Sequence, residues 1–368
     1  MINREAAGHL LKVHDAFAHP ITPWMAGAIG VVLMVSIPAA LALHRAGKMS
    51  DKTWQDVKVR CITWCVIAPA VVLPILLSAG AAMLMVCAVS LMCHREFARA
   101  TGLFRERLMS AMVVLGILAV TFASLDNWYG LFVAVPALMM AIIPAAAVLE
   151  DRPKHYIQRV ALAAVAFLFF GAGLGHLGFI ANDTDYRPVL LLIIVCVQLN
   201  DIFAYICGKT LGRRKLFPNN SPNKTLGGHL GAVCCTVPLT FFLGREVFRG
   251  TPMNDPVLLV GLGLIFSIGG QLGDLVLGSI KRDIGIKDMA ATLPGHGGVL
   301  DRANSLLLVA PAAGHYLGYF GGLDYDRVDR VLSTGLRALD SQIPMLVQLM
   351  QRAGAWVIGC AAFVGGGA

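Results

Sequence analysis

Apolar runs of about 20 residues recur along this 368-residue sequence and constrain its fold more than any other feature. A helix needs about 20 apolar residues to cross the roughly 30 Å hydrocarbon core of a bilayer. Only 14% of the residues are charged, and the mean hydropathy is +0.70. Because a soluble domain needs far more polar surface, the sequence predicts an all-α, polytopic integral membrane helix bundle.

The apolar runs predict about ten transmembrane helices. The first run is long enough to span a bilayer and follows a polar segment, so we expect it to remain as a helix and not to be cleaved as a signal. The predicted spans cover residues 24–43, 58–78, 79–96, 108–125, 128–149, 159–181, 187–207, 228–244, 256–280 and 303–322. After them, apolar residues on one face predict a helix along the membrane interface at 324–351, followed by a weaker apolar stretch at 354–367.

Lysine and arginine are unequally distributed between the two predicted faces of the bundle. If the N-terminus lies outside, the inside segments hold 21 of the 30 Lys and Arg residues. Cytoplasmic loops are enriched in these residues, so the pattern predicts which face is cytoplasmic, and we attribute the net charge of +8 to orientation and not to nucleic-acid binding. The inside segments are 44–60, 94–107, 150–159, 208–227 and 281–302, with 5, 4, 3, 5 and 4 of these residues.

Two polar residues interrupt the seventh predicted span. Asn200 and Asp201 lie about two turns from the cytoplasmic end of an otherwise apolar helix. An ionisable group at such depth costs about 2.5–3.5 kcal/mol on insertion scales, so it marks a candidate functional site. The alternative is an aspartate that only pairs with a neighbouring helix.

The loop after this span combines cations, hydroxyl groups and glycines over residues 208–228. Glycine lets backbone N–H groups approach an anion closely, and Lys and Arg neutralise it. The loop therefore suits a phosphate-rich ligand, although it lacks the Walker spacing. The alternative is a positively charged loop that touches lipid headgroups.

The end of the ninth span carries a second polar stripe. Asp274, Gly278 and Lys281 follow an i, i+4, i+7 pattern and lie on one helical face, with the carboxylate deeper than the cation. Such a face suits a metal ion above and a phosphate below. The next segment, 287–305, adds two aspartates, an arginine, and His296 between glycines. Aspartate oxygens are preferred magnesium ligands, so this segment extends the candidate site; alternatively, His296 is only a hydrogen-bonding residue in a glycine turn.

Together these residues resemble the signature of the phosphatidate cytidylyltransferases, also called CDP-diacylglycerol synthases. The resemblance covers about residues 60–320 and is carried by motifs in a fixed order. These motifs are 200–205, 221–225, Lys281-Arg282, Lys287-Asp288, 294–298 and Asp301-Arg302, with Arg95-Glu96-Phe97 resembling an acidic-aromatic pair of the family.

The resemblance implies three segments: an N-terminal part with an extra transmembrane helix (1–57), a membrane-embedded cytidylyltransferase-like domain (58–322), and an amphipathic tail with a weak apolar end (323–368). It also implies an enzyme that uses CTP and a lipid phosphate, most simply phosphatidate, within membrane lipid. We expect a bacterial inner membrane, with the active site facing the cytoplasm, where CTP is found and where the distribution of Lys and Arg places these loops. The family further implies a homodimer, but the sequence leaves the oligomeric state open.

The implied reaction is attack of a lipid phosphate oxygen on the α-phosphorus of CTP, with release of pyrophosphate and no covalent enzyme intermediate. Such displacements need positioning and charge stabilisation. The implied cofactor is Mg²⁺, and a second ion, K⁺ or Mg²⁺, is left open. The expected metal ligands are Asp274 and Asp301, with Asp201 and Asp288 as further ligands or as residues that orient the ligands. The remaining catalytic candidates are Lys224, Lys281, Arg282, Asp288, His296 and Arg302; the substrate-binding candidates are Asn200, Tyr205, Ser221, Thr225, Ser279, Lys287, Gly297, Gly298 and Asn304.

Three departures from the family pattern leave the acceptor open. Gly278 stands where the family has serine, Asn304 where it has aspartate, and Leu226-Gly227 where it has Trp-Glu. A different lipid phosphate acceptor is therefore an alternative. A secondary transporter is another, since intramembrane acidic residues and glycine-broken helices also mark ion pathways, and a catalytically weakened homologue with a binding role is a third. Transport predicts substrate movement without CTP consumption, whereas catalysis predicts pyrophosphate release that requires a lipid phosphate.

Overall fold

The structure, a computed structural model, describes residues 4–12, 15–323 and 330–331. It is an almost entirely helical bundle, and the predicted fold class is confirmed. The predicted interfacial helix at 324–351, apart from residues 330–331, and the apolar stretch at 354–367 lie outside the described residues.

The described chain contains fourteen α-helices and one small β-hairpin, together with short 3₁₀- and π-helical segments. The helices of the N-terminal half are α1 (Arg4–Leu11), α2 (Ile21–Arg45), α3 (Asp51–Leu77), α4 (Ala79–Thr101), α5 (Arg107–Leu125), α6 (Tyr129–Val148), α7 (Tyr156–Ala166) and α8 (Leu174–Ile180). The C-terminal half contains α9 (Tyr186–Leu211), β1 (Lys215–Phe217), β2 (Ser221–Thr225), α10 (Leu226–Val247), α11 (Pro256–Leu264), α12 (Gly270–Asp283), α13 (Val299–Ala303) and α14 (Leu306–Tyr319).

Among the described residues, nine helical rods are long and apolar enough to cross a membrane. They correspond to the first nine predicted spans. The tenth, predicted at 303–322, is instead divided: α13 ends at Ala303, and α14 is only 14 residues long. At the division the Asn304 side-chain oxygen accepts a hydrogen bond from the Ser305 backbone N–H. This break places two polar side chains within the bundle.

Two of the nine rods contain a π-helical segment. Phe167–Gly173 joins α7 to α8, and Ile265–Gly269 joins α11 to α12. Segments of this kind are frequent at functional sites because they shift the register of the following turn. The second one lies immediately before the helix that carries the Asp274 stripe.

The core runs through the centre of the bundle, and α9 changes character along its length. Residues 186–193 of its first half are all buried, whereas Asp201, Ile202 and Tyr205 in its second half are exposed. The second half packs against α10, which a close approach of Gly228 to the Ala204 carbonyl allows. The C-terminal half of α9 is therefore exposed around Asp201.

The N-terminal segment is held by buried polar contacts. Helix α1 is an element that the sequence patterns do not predict. The Arg187 guanidinium, only 6% exposed, donates to the carbonyl oxygens of Lys12, Asp15 and Leu76. Helix α3 runs without interruption across residues 57 and 58, the predicted boundary between the N-terminal segment and the catalytic domain.

Candidate active site

Asp201 and Asp274 come together at the break between α13 and α14. Ser305 Oγ donates to Asp201 Oδ2 at 3.1 Å, and Asn304 Nδ2 donates to Asp274 Oδ1 at 2.6 Å. Because Asn304 and Ser305 are adjacent, they link helices α9 and α12. The approach requires Gly273, since a Cβ at that position would lie 2.5 Å from the Asn304 carbonyl oxygen.

A cation from the hairpin completes this cluster. Lys224, on β2, forms an ion pair with Asp274 at 2.5 Å, and the two side chains are 24% and 31% exposed. The hairpin is also tied to α12 by Asn220 Nδ2, which donates to Ser279 Oγ at 2.8 Å. We refer to Asp201, Lys224, Asp274, Asn304 and Ser305 as the open cluster.

A second carboxylate–lysine pair lies nearby but is closed to solvent. Asp301 Oδ1 accepts from Lys281 Nζ at 2.9 Å, and the two side chains are 2% and 13% exposed. Asp301 Oδ2 accepts from the backbone N–H groups of Met289 and Gly298, each at 2.9 Å. Both oxygens of Asp301 are therefore engaged within the protein: Oδ1 by Lys281 of α12, and Oδ2 by the loop that precedes α13.

Glu96 on α4 holds the same loop from the other side. It is 6% exposed and accepts hydrogen bonds from Thr292 Oγ1 (2.6 Å), Val299 N (3.0 Å) and Leu300 N (2.9 Å). The last two N–H groups lie in the first turn of α13 and have no acceptor within the helix, so a carboxylate is favoured there. Sequence reasoning placed Glu96 in a family-like motif but gave it no role at the site; a buried acidic residue near the end of an apolar span was the available signal.

The turn at 294–298 packs against α3. Thr63 Oγ1 donates to the Pro294 carbonyl at 2.8 Å, and Trp64 meets the His296 ring edge-on at 5.8 Å. His296 Nδ1 donates to the Pro294 carbonyl at 3.4 Å. Burial lowers the pKa of His296 below its usual value, although the bond to Pro294 opposes this effect. The imidazole is therefore neutral at pH 7, with its proton on Nδ1.

Asn200 is buried in a network that joins four helical elements: α9, α10, the π-helical segment at 265–269 and α12. Its side-chain oxygen accepts from Thr236 Oγ1 (3.0 Å) and Ser267 Oγ (2.7 Å), and Gln271 Nε2 donates to Ser267 Oγ at 3.0 Å. With no exposed surface, Asn200 packs the helices behind Asp201. Its substrate-binding assignment stays a prediction, and the geometry supports a role in orienting its neighbour.

Residues 58–320 match the model of the cytidylyltransferase family. The chain belongs to this family. It is 33% identical over 263 residues to a phosphatidate cytidylyltransferase of Staphylococcus haemolyticus, covering 69% of this chain and 96% of that protein. A phosphatidate cytidylyltransferase of Staphylococcus epidermidis is 32% identical over 261 residues, with the same coverage. The Escherichia coli protein called uncharacterized protein YnbB is 33% identical over 199 residues, covering 52% of this chain and 65% of that protein.

Family membership makes the chain a phosphatidate cytidylyltransferase-like enzyme of the nucleotidyltransferase class. The other predicted site residues have varied surroundings. The Thr225 hydroxyl accepts from Gly228 N at the start of α10, Ser221 lies on β2, and Gly297 adopts a positive φ of 81° beside Asp288. Arg282 donates to the Ile286 carbonyl. The exposed members are Tyr205, Arg282, Lys287, Asp288 and Arg302.

The donor chemistry of this cytidylyltransferase-family site fits a hard cation only in part. Among the described residues, no group of three or more His, Cys, Asp or Glu side chains converges. Asp201 and Asp274 offer carboxylate oxygens at the open cluster, whereas both oxygens of Asp301 are occupied. Magnesium commonly binds one or two protein carboxylates together with substrate phosphates, and the open cluster matches that pattern.

Proposed function

We propose that this protein transfers the cytidylyl group of CTP to a lipid phosphate, with phosphatidate as the acceptor and CDP-diacylglycerol and pyrophosphate as the products. The observation that carries the proposal is the open cluster, in which residues from α9, β2, α12 and the α13–α14 break meet at one end of an apolar bundle. The relatives named phosphatidate cytidylyltransferase support this choice of acceptor.

The chemistry asks the protein for positioning and charge stabilisation. An oxygen of the lipid phosphate forms a bond to the α-phosphorus of CTP, and the bond from that phosphorus to the bridging oxygen breaks. The electron pair leaves with pyrophosphate, so no enzyme nucleophile is needed. Lys224 is placed to neutralise phosphate charge once its contact with Asp274 is exchanged for a ligand.

Asp201 and Asp274 are the residues that would hold Mg²⁺. Bound there, the ion would supply charge neutralisation for the triphosphate. Ser305 and Asn304 orient these two carboxylates through their hydrogen bonds. Asp301 is assigned to positioning Lys281 and the loop before α13, because its oxygens are already bonded within the protein.

The open cluster is proposed to face the cytoplasm of a bacterial inner membrane, where CTP is available. The unequal distribution of Lys and Arg supports this orientation. Reporter fusions after residue 219, in the hairpin, and after residue 184, at the opposite end of α9, test it. The proposal expects cytoplasmic activity for the first and external activity for the second.

The deciding experiment supplies radiolabelled CTP and Mg²⁺ to purified protein in detergent micelles with or without dioleoyl phosphatidate. CDP-lipid and pyrophosphate are expected in equal amounts, only when the lipid phosphate is present. Asp274→Ala serves as the inactive variant. If purified wild-type protein forms neither product with any of a panel of lipid phosphates, the proposal fails.

A different lipid phosphate acceptor is the second candidate. Asn304 and Gly278 depart from the family pattern and lie at or beside the open cluster, so they favour a change of acceptor. The same panel decides between the two, because the preferred acceptor gives the highest kcat/KM.

A further inference from the structure

The cations around the site divide into those with carboxylate partners and those without. Lys224 is paired with Asp274, and Lys281 with Asp301. Arg60 and Arg302, by contrast, form no ion pair within the described ranges 4–12, 15–323 and 330–331, and both are exposed. An unpaired guanidinium is the better anchor for an incoming phosphate, since no internal partner must first be displaced.

Both arginines lie at the turn 294–298. A Cβ built on Gly295 would come within 3.3 Å of Arg60 Cγ, so the α3 side chain runs along the turn. Arg302 directly follows Asp301, whose Oδ2 accepts from Gly298 N. Burial lowers the pKa of His296, and the positive charges of the two guanidinium groups lower it further, as expected for cations near one imidazole. The turn therefore has positive charge on both its α3 and α13 sides.

An apolar stripe on α3 begins next to Arg60. Val59, Ile62 and Val66 are 37%, 48% and 65% exposed, and the stripe continues through Leu73 and Leu77. Their spacing of three, four, seven and four residues keeps them on one helical face. Arg60 is offset from this face by about 100° and closes the predicted inside segment 44–60. The helix thus presents a cation at the expected headgroup level and an apolar track leading into the membrane.

We propose that Arg60 and Arg302 bind the phosphate monoester of the lipid acceptor, with its acyl chains along the apolar stripe of α3. This inference rests on the proposed function and deepens it by assigning the acceptor to the α3 side of the turn and the nucleotide to the open cluster. A phosphate monoester and a bidentate guanidinium match in charge and geometry, and the adjacent stripe matches the acyl chains.

Arg60→Ala, compared with Lys58→Ala, tests the assignment. Lys58 is an exposed cation on the same helix, two residues earlier and about 200° round its axis, and it controls for general attraction of anionic lipid. In mixed micelles, Arg60→Ala is expected to raise the KM for dioleoyl phosphatidate roughly tenfold or more, as loss of a charge-assisted bond implies. The KM for CTP should change by less than about twofold, and Arg60→Lys should restore part of the loss.

A binding experiment without CTP separates this inference from the proposed function. Native mass spectrometry counts dioleoyl phosphatidate molecules retained by the detergent-solubilised protein, with dioleoyl phosphatidylcholine as the neutral-headgroup comparison. Selective phosphatidate retention that Arg60→Ala and Arg302→Ala reduce supports the assignment, even if the wild type forms no CDP-lipid and the proposed function fails. An increase in the KM for CTP alone, equal effects of Lys58→Ala, or undiminished phosphatidate retention in Arg60→Ala overturns it.

Discussion

The two carboxylate–lysine pairs of this site have the same chemical groups but different surroundings. Lys224–Asp274 is about one-quarter to one-third exposed, and its aspartate has Asn304 as its other side-chain partner. Lys281–Asp301 is nearly buried, and its aspartate also accepts two backbone N–H bonds. An exposed pair exchanges partners at small cost, whereas breaking a buried pair leaves an uncompensated charge. We infer that the Lys224–Asp274 pair binds ligands and that the Lys281–Asp301 pair fixes the loop before α13.

The largest effect is expected from Asp301→Ala. It leaves the Lys281 ammonium without its partner and exposes two backbone N–H groups, so the free energy of unfolding should fall by about 3–5 kcal/mol, with loss of activity. Thermal unfolding in detergent measures the change. The double variant Asp301→Ala/Lys281→Met should recover part of the stability because it removes the stranded charge. An unchanged melting temperature with lost activity would instead identify Asp301 as a ligand-binding residue.

Asp274→Asn should separate function from stability. The substitution removes a charge that is proposed to act on the metal and the triphosphate, so activity should fall by roughly 10²–10³-fold. The free energy of unfolding should change by less than about 1 kcal/mol, because the pair is partly exposed. Initial rates of CDP-lipid formation and thermal unfolding of the same preparation provide the two readouts. Lys224→Met is the partner control and should also preserve stability. A large loss of stability in either variant would show that the Lys224–Asp274 pair is structural too.

Glu96 extends the comparison to a carboxylate without a lysine partner. Glu96→Gln weakens its bonds to Thr292 Oγ1 and to the N-terminus of α13, and should lower the free energy of unfolding by about 1–3 kcal/mol. Glu246→Gln is the control, because Glu246 forms an exposed ion pair with Arg249 at the end of α10 and should change stability by less than about 1 kcal/mol. Equal effects of the two variants, seen by thermal unfolding, would contradict the role assigned to Glu96.

The sequence predicts the bundle well because apolar length and charge asymmetry are local properties that a membrane constrains strongly. It also predicts that Asp201 and Asp274 lie at one site, since aspartates within apolar spans are costly without a role. It does not predict the break at Asn304–Ser305, because two uncharged polar residues at the start of an apolar run do not distinguish a helix break from the first turn of a span.

The roles of individual carboxylates are harder to predict than their presence. Asp301 follows Gly298 by three residues, the spacing at which an acidic side chain bonds back to the first N–H of a helix, so this spacing was the available signal. Its further bond to Met289 N depends on the path of the intervening loop. The Asn200 network depends on the π-helical segment that carries Ser267, and the apolar pattern of the ninth span does not distinguish such a segment from an α-helix.

The smallest expected effect is a pH dependence of stability that arises from His296. This residue lies in the turn 294–298, which the Lys281–Asp301 pair supports. Its folded-state pKa is lowered mainly by burial, whereas the unfolded chain has a value of about 6.5. The unfolded state therefore binds more protons below this pH, and stability present above pH ~6.5 should decline as the pH falls towards the folded-state pKa. Thermal unfolding between about pH 5 and 7.5 measures the decline, and His296→Phe, which keeps a ring against Trp64, should flatten it in this window. If both proteins respond identically to pH, another group governs the transition, and the neutral imidazole has no part in holding the turn against α3.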